Sequence, residues 1–109
     1  MAGSFPGTVD FDPGGSTYNR TSNGDEDAFL SLIDSSGTWQ WTRTFGGVDN
    51  DNGLGVSVTS TGEAYITGMF RSTVDFAPTE PPCNDNSDEH DSIGNTDAYL
   101  VKYLSDGCW

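Results

Sequence analysis

The sequence predicts an all-β fold of antiparallel repeat modules with roughly four strands each, with about one and two-thirds repeats in the chain. Three observations carry that expectation. One line of sequence is written twice, the segments between are short and rich in β-branched and aromatic residues, and helical periodicity is almost absent.

The duplication comes first. "GSFPGTVDFDP" (3–13) and "GMFRSTVDFAP" (68–78) share seven of eleven positions at an offset of 65. "DAFLSLIDSSGTW" (27–39) and "DAYLVKYLSDGCW" (97–109) share six of thirteen at an offset of 70. The five-residue difference falls between the two blocks, where "PGGSTYNRTSNGDE" faces "PTEPPCNDNSDEHDSIGNT". Length variation of that kind belongs in an exposed loop. The repeat units are therefore 3–67 and an incomplete 68–109, each an antiparallel supersecondary module.

Strands are expected at "DAFLSLID" (27–34), "TWQWTRTF" (38–45), "GVSVTST" (55–61), "EAYITGMF" (63–70) and "DAYLVKYL" (97–104). "DSSGTW" (34–39) and "TSTGEA" (59–64) read as tight hairpin connections that use glycine. In "GVSVTS", Val56 and Val58 share one face of a half-buried strand. Both ends of the chain read as falling inside strands, because Gly68 follows "EAYIT" whereas Gly3 follows only Met1 and Ala2. The expectation is a stretch of a longer array, or a module whose sheets another copy completes.

Charge narrows the function. Seventeen acidic residues against four basic ones give a net charge of −13, which disfavours nucleic acid and anionic membrane surfaces. No apolar stretch is long enough to span a membrane, and "MAGSFPG" has neither the basic nor the apolar run of a signal peptide. Leu, Ile, Val and Phe supply only 20 of the 109 residues, so the core is thin. A disulfide, metal ions or neighbouring copies are expected to support it.

"GSFPGTVDFDP", "DAFLSLIDSSGTWQW" and "FGGVDNDNGLGVSVTSTGEAYITG" together resemble the bacterial SBBP-type β-propeller repeat family. The resemblance covers nearly the whole chain. It implies four-stranded antiparallel blades, a setting outside the cell or at its surface, and no established catalytic residues. The longer period, the cysteine pair and the Asp/Asn-rich second loop depart from the family pattern. Fewer than two blades cannot close a ring, so unpaired strand edges should seek other copies of the chain, giving a filament or a propeller-like array.

Four groups of residues are candidate sites. Cys83 and Cys108 read as one disulfide, pinning the long second loop to a hairpin end in an oxidising compartment; two free thiols are the alternative. Asp49 and Asp51 in "VDNDNG", with Asp85, Asp88 and Asp91 in "CNDNSDEHD", offer the hard oxygen ligands calcium prefers. Neither stretch has EF-hand spacing, and Asp, Asn and Gly also serve turns for backbone reasons alone. "NRT" makes Asn19 a candidate glycosylation site. Trp39, Trp41, Tyr18 and Tyr65 are candidate platforms for sugar rings, although the recurrence of Trp39 as Trp109 also suits packing between modules.

No catalytic constellation stands out. Asp10 and Asp75 recur at matched positions, as structural carboxylates do, and the single histidine, His90, lies in the variable loop. The expected function is that of a non-enzymatic, self-associating structural module outside the cell. A glycan-binding surface module is the alternative.

Overall fold

The computed structural model describes residues 1–78, 83–84 and 86–109. Among them there is no helix; the chain is all-β and antiparallel throughout, in three small sheets. The first sheet is formed by β1 (Ala2–Asp10), β2 (Asn19–Ile33) and β3 (Trp39–Phe45), paired in that order. The second pairs β4 (Asn52–Val58), β5 (Ala64–Phe70) and β8 (Asp97–Tyr103). The third is the short ribbon of β6 (Thr73–Asp75) and β7 (Glu89–Asp91).

The sequence repeat is a repeat of register. In the β1–β2 pair, Gly3 faces Phe29, Phe5 faces Asp27, Thr8 faces Thr21 and Val9 faces Arg20. The two sequence offsets carry these onto Gly68–Tyr99, Phe70–Asp97, Thr73–Asp91 and Val74–His90, and each of those pairs is present. The β6–β7 ribbon is thus the outer half of a long hairpin that β5 and β8 begin. A kink separates the halves in both copies. Gly7 at φ 63° gives its N–H to Ser22 Oγ at 2.9 Å, and its counterpart Ser72 at φ 56° gives its N–H to Ser92 Oγ at 2.9 Å. The first long loop is shorter than expected, since β2 already begins at Asn19, and Asn19, Arg20 and Thr21 pair with the outer half of β1.

Three hairpin turns share one geometry. In 34–38, 59–63 and 104–108 the first residue bonds the last, and a glycine (Gly37, Gly62 or Gly107) takes a φ of 82–86° that a side chain would strain. The carboxylates Asp10 and Asp75 hold the far ends of the long hairpins in the same way. Asp10 accepts the N–H groups of Asp12 and Tyr18, while Asp75 accepts those of Ala77 and Asp88.

The two larger sheets stack, and their facing sides make the core. Ala28, Leu30, Trp41 and Phe45 of the first sheet meet Ala64, Ile66, Phe70, Tyr99, Val101 and Tyr103 of the second, with Val74 and Phe76. Alternation along β5 and β8 is strict, as expected where one face of a sheet is covered. Val56 and Val58 depart from the expected burial and are exposed. They lie on β4, the edge strand of its sheet, which approaches the first sheet through the glycine contact of Gly53 with Gly3.

An aromatic triad also recurs. Phe70, Phe76 and Tyr99 pack with centroid separations of 5.2, 5.2 and 6.5 Å; their counterparts Phe5, Phe11 and Phe29 pack at 5.1, 4.9 and 6.3 Å. Phe45 of the first sheet covers the first of these triads, at 5.5 Å from Phe76 and 5.4 Å from Tyr99.

Candidate functional site

The outer edge of β8 carries no strand among the described residues, and an open groove of about 410 Å³ runs along it. Ala98, Tyr99, Leu100 and Val101 form its floor beside Asp88, His90 and Trp109. In the first copy the matching edge is occupied. Ala28, Phe29, Leu30 and Ser31 of β2 pair with Phe45, Thr44, Arg43 and Thr42 of β3. The groove therefore lies where the second copy would seat a strand like β3.

The walls differ between copies in a way that changes the chemistry. In the first copy Tyr18 stacks on Trp39 at 4.6 Å, Arg20 lies 4.2 Å over the Tyr18 ring, and the Trp39 indole N–H bonds Thr42 Oγ1 at 2.9 Å. Tyr18, Arg20 and Trp39 become Asp88, His90 and Trp109 in the second copy. His90 Nε2 lies 3.0 Å from Asp88 Oδ1, and Trp109 packs edge-on to Tyr103 at 5.9 Å with 39% of its surface exposed. A closed aromatic–cation stack has become an open, acidic wall with one indole.

Beside the groove, the first sheet grips the last turn of the second. Trp41 donates its indole N–H to the Ser105 carbonyl at 3.1 Å, and Arg43 donates to the Gly107 carbonyl at 2.7 Å. A second Arg43 nitrogen lies 2.9 Å from Cys83 Sγ. Cys83 and Cys108 are joined in a disulfide, so the expected pairing is present and fixes the second loop to the 104–108 turn. Sequence reasoning named the cysteines, and Trp41 only as a sugar platform, but did not name Arg43 or the clasp the two residues make. Their signal was the sequence "WTRTF", in which a lone arginine sits among strand residues.

The candidate calcium residues fall into two places. Asp51 is fully buried, accepts the N–H of Gly47 at 2.7 Å and of Arg71 at 3.0 Å, and gives its own N–H to the Glu26 carbonyl at 2.7 Å. It ties β2 to the chain leaving β5. Asp49 accepts a hydrogen bond from Ser72 Oγ at 2.5 Å. Asp88 lines the groove, as does Asp91, which accepts from the Thr73 hydroxyl, whereas Asp85 lies outside the described residues. Among the described residues no group of three or more His, Cys, Asp or Glu is placed to share a metal ion.

Two buried carboxylates stand out electrostatically. Burial pushes the Asp27 carboxyl above its ordinary range, and the charge of Asp51 adds to this. Asp51 is likewise raised by burial, with Asp49 contributing. Asp27 receives the Asn23 N–H at 3.0 Å on one oxygen, while its other oxygen has no hydrogen-bond partner. The Tyr99 hydroxyl, which donates to the Asn52 carbonyl at 2.8 Å, is raised by burial and by Asp51.

The glycan candidates separate. Trp41 is buried in the core and Tyr18 is stacked on Trp39, while Tyr65 is partly exposed with Lys102 about 6.0 Å over its ring. Asn19 is exposed at the start of β2, opposite Asp10. No described helix is long and apolar enough to cross a membrane.

Comparison with known proteins adds one resemblance. No family model matches the chain, and no solved structure matches it. Over 89 residues it is 29% identical to the regulatory protein FlaEY of Caulobacter vibrioides. That match covers 82% of this chain but only 8% of FlaEY, so the chain spans a small fraction of its relative's length.

Proposed function

We propose that this chain is a structural repeat module of β-propeller-blade type, acting outside the cell by joining further copies through its incomplete sheets. One observation carries the reading above the rest. The second copy repeats the register of the first, yet the edge that β3 covers in the first copy is open along Ala98–Val101 in the second. An open edge of this kind presents backbone N–H and C=O groups to an added strand. In a four-stranded blade the missing position would be filled by a strand resembling β3. The disulfide favours an oxidising compartment, and thus a location at or beyond the cell surface. The module is proposed to work by assembly rather than catalysis.

The test is a peptide of residues 38–46, TWQWTRTFG, added to the intact chain. Saturable binding that protects the amides of 98–101 from exchange supports the open edge as a strand acceptor. A peptide with proline at the Arg43 position lacks an N–H and should bind more weakly. Equal binding by both peptides, or none by either, would overturn the reading.

A second reading is favoured by the groove's own lining. Trp109 beside Asp88, His90 and Asp91 combines an exposed ring with hydrogen-bonding groups, as a glycan-binding groove does. Quenching of tryptophan fluorescence by an oligosaccharide, lost in Trp109→Ala, would put that reading first.

A further inference from the structure

The repeat relates faces as well as edges. Leu30 and Ala28 of β2 lie on the side of the first sheet that packs against the second, and they are 2% and 0% exposed. Their counterparts on β8, Leu100 and Ala98, lie on the far side of the second sheet; Leu100 is 73% exposed. Alternation places Tyr65, Thr67 and Met69 of β5 on that same far side. Two apolar side chains of β2 that the first sheet buries in the core, Ala28 and Leu30, thus have counterparts that the second sheet offers outward.

The converse holds on the opposite side of the molecule. Phe29, the counterpart of Tyr99, belongs to the triad on the outer side of the first sheet, which the second sheet does not cover. Tyr99 is 7% exposed because the first sheet lies over it, and Phe29 is only half-buried. One protein therefore carries both halves of an interface that it already makes once within itself. The two halves sit on opposite sides, so they cannot satisfy each other within one chain.

We infer that a second copy of this chain stacks head to tail on the first, seating its Leu100–Met69 face on the Phe29–Phe11 face as the first sheet seats on the second. The contact is heterologous, so repetition continues until the rotation closes a ring or runs on as a filament. The inference rests on the assembly reading above, but it locates the contact on sheet faces rather than on the β8 edge. Charge opposes stacking, because each copy carries a net −13. Added salt screens that repulsion, so association should strengthen with ionic strength while the apolar contact persists.

Sedimentation of the intact chain over a concentration series tests this, with Leu100→Glu and Ile93→Glu as variants. Both side chains are largely exposed, so neither change disturbs the fold, and Ile93 lies outside the stacking face. The expected result is association of the wild type and Ile93→Glu, with at least about tenfold weaker association of Leu100→Glu, because a carboxylate replaces the leucine to be buried. If Leu100→Glu associates as the wild type does, the face contact is wrong while assembly through edges stands. If the wild type stays monomeric at its highest soluble concentration with added salt, the stacking inference and self-assembly fall together. Peptide binding at the β8 edge would remain independent of that outcome.

Discussion

Arg43 Nε donates to the carbonyl oxygen of Gly107 at 2.7 Å, across the boundary between the two stacked sheets. Arg43 is 3% exposed and also bonds the Thr42 carbonyl and Cys83 Sγ. A single side chain thus links β3, the last hairpin turn and the disulfide. Replacing it with methionine keeps the buried length but removes the donors, leaving the Gly107 carbonyl without this partner. The expected cost is about 3 kcal/mol, the range for buried bonds to a charged group. Lysine should not rescue it, since an ammonium cannot present the planar fork that reaches three acceptors. Urea unfolding of Arg43→Met and Arg43→Lys measures both; a lysine variant as stable as wild type would remove the fork from the explanation.

Gly107 tests the same clasp from the other side. Gly37 and Gly107 hold equivalent turns at φ 85° and 82°, so alanine at either should cost about 1–2 kcal/mol from backbone strain. A Cβ at Gly37 meets nothing, whereas a Cβ at Gly107 would lie 2.8 Å from Trp41 Cδ2. Gly107→Ala should therefore be the more destabilising, and the difference reports how firmly Trp41 is seated on the turn. Equal losses in thermal denaturation would mean that Trp41 moves aside freely.

How much of this was legible beforehand depends on how local each cause is. The all-β class, the turn glycines and the repeat are written in short-range patterns, and "TVDF" twice over marks both copies of the long hairpin. Two cysteines left a disulfide or two free thiols open, and the structure joins Cys83 to Cys108. Asn19–Asp25 looked like loop because its polar residues carry no alternation, yet the pairing of Asn19–Thr21 with the outer half of β1 draws the segment into β2. Trp39 and Trp41 could not be told apart by composition. Only the stacking of the sheets sends Trp41 into the core and leaves Trp39 against Tyr18. Asp51 looked like a loop ligand, and its burial depends on the Arg71 N–H twenty residues away and on the Glu26 carbonyl of β2, which no local pattern reveals.

Reduction of the disulfide should weaken a chain whose core is thin. Cys83 and Cys108 are 25 residues apart, and closing a loop of that size contributes about 3 kcal/mol in the chain-entropy description. A reduced sample should unfold at markedly lower urea, with the loss greatest around 104–108. Exchange of the Gly107 and Cys108 amides, compared with Gly37 and Thr38 in the equivalent turn, would show it. Uniform loosening of both turns would mean that the bond acts on the whole fold rather than on the clasp.

The buried Asp27 and Asp51 give the fold a pH dependence with a definite sign. Both carboxyls are raised above the ordinary aspartate value in the folded state, mainly by burial. The folded protein therefore holds protons that the unfolded chain releases, and the contribution of these groups to stability falls as pH rises from that value through the raised ones. Exposed carboxylates act oppositely. Asp34, lowered by its hydrogen bonds to Ser36 and Thr38, and Glu63, lowered by Lys102, contribute above the ordinary value and lose that contribution as pH falls. A single variant separates the two effects. Asp27→Asn keeps an oxygen for the Asn23 N–H and places an uncharged amide where the second carboxylate oxygen is buried without a partner. Relative to wild type it should gain stability as pH rises from about 3 to about 7, because it never has to bury that charge. The comparison is the urea midpoint of the two proteins across that range. A difference that stays constant with pH would show that the Asp27 carboxyl binds its proton equally in the folded and unfolded chain, and would leave Asp51 to carry the effect.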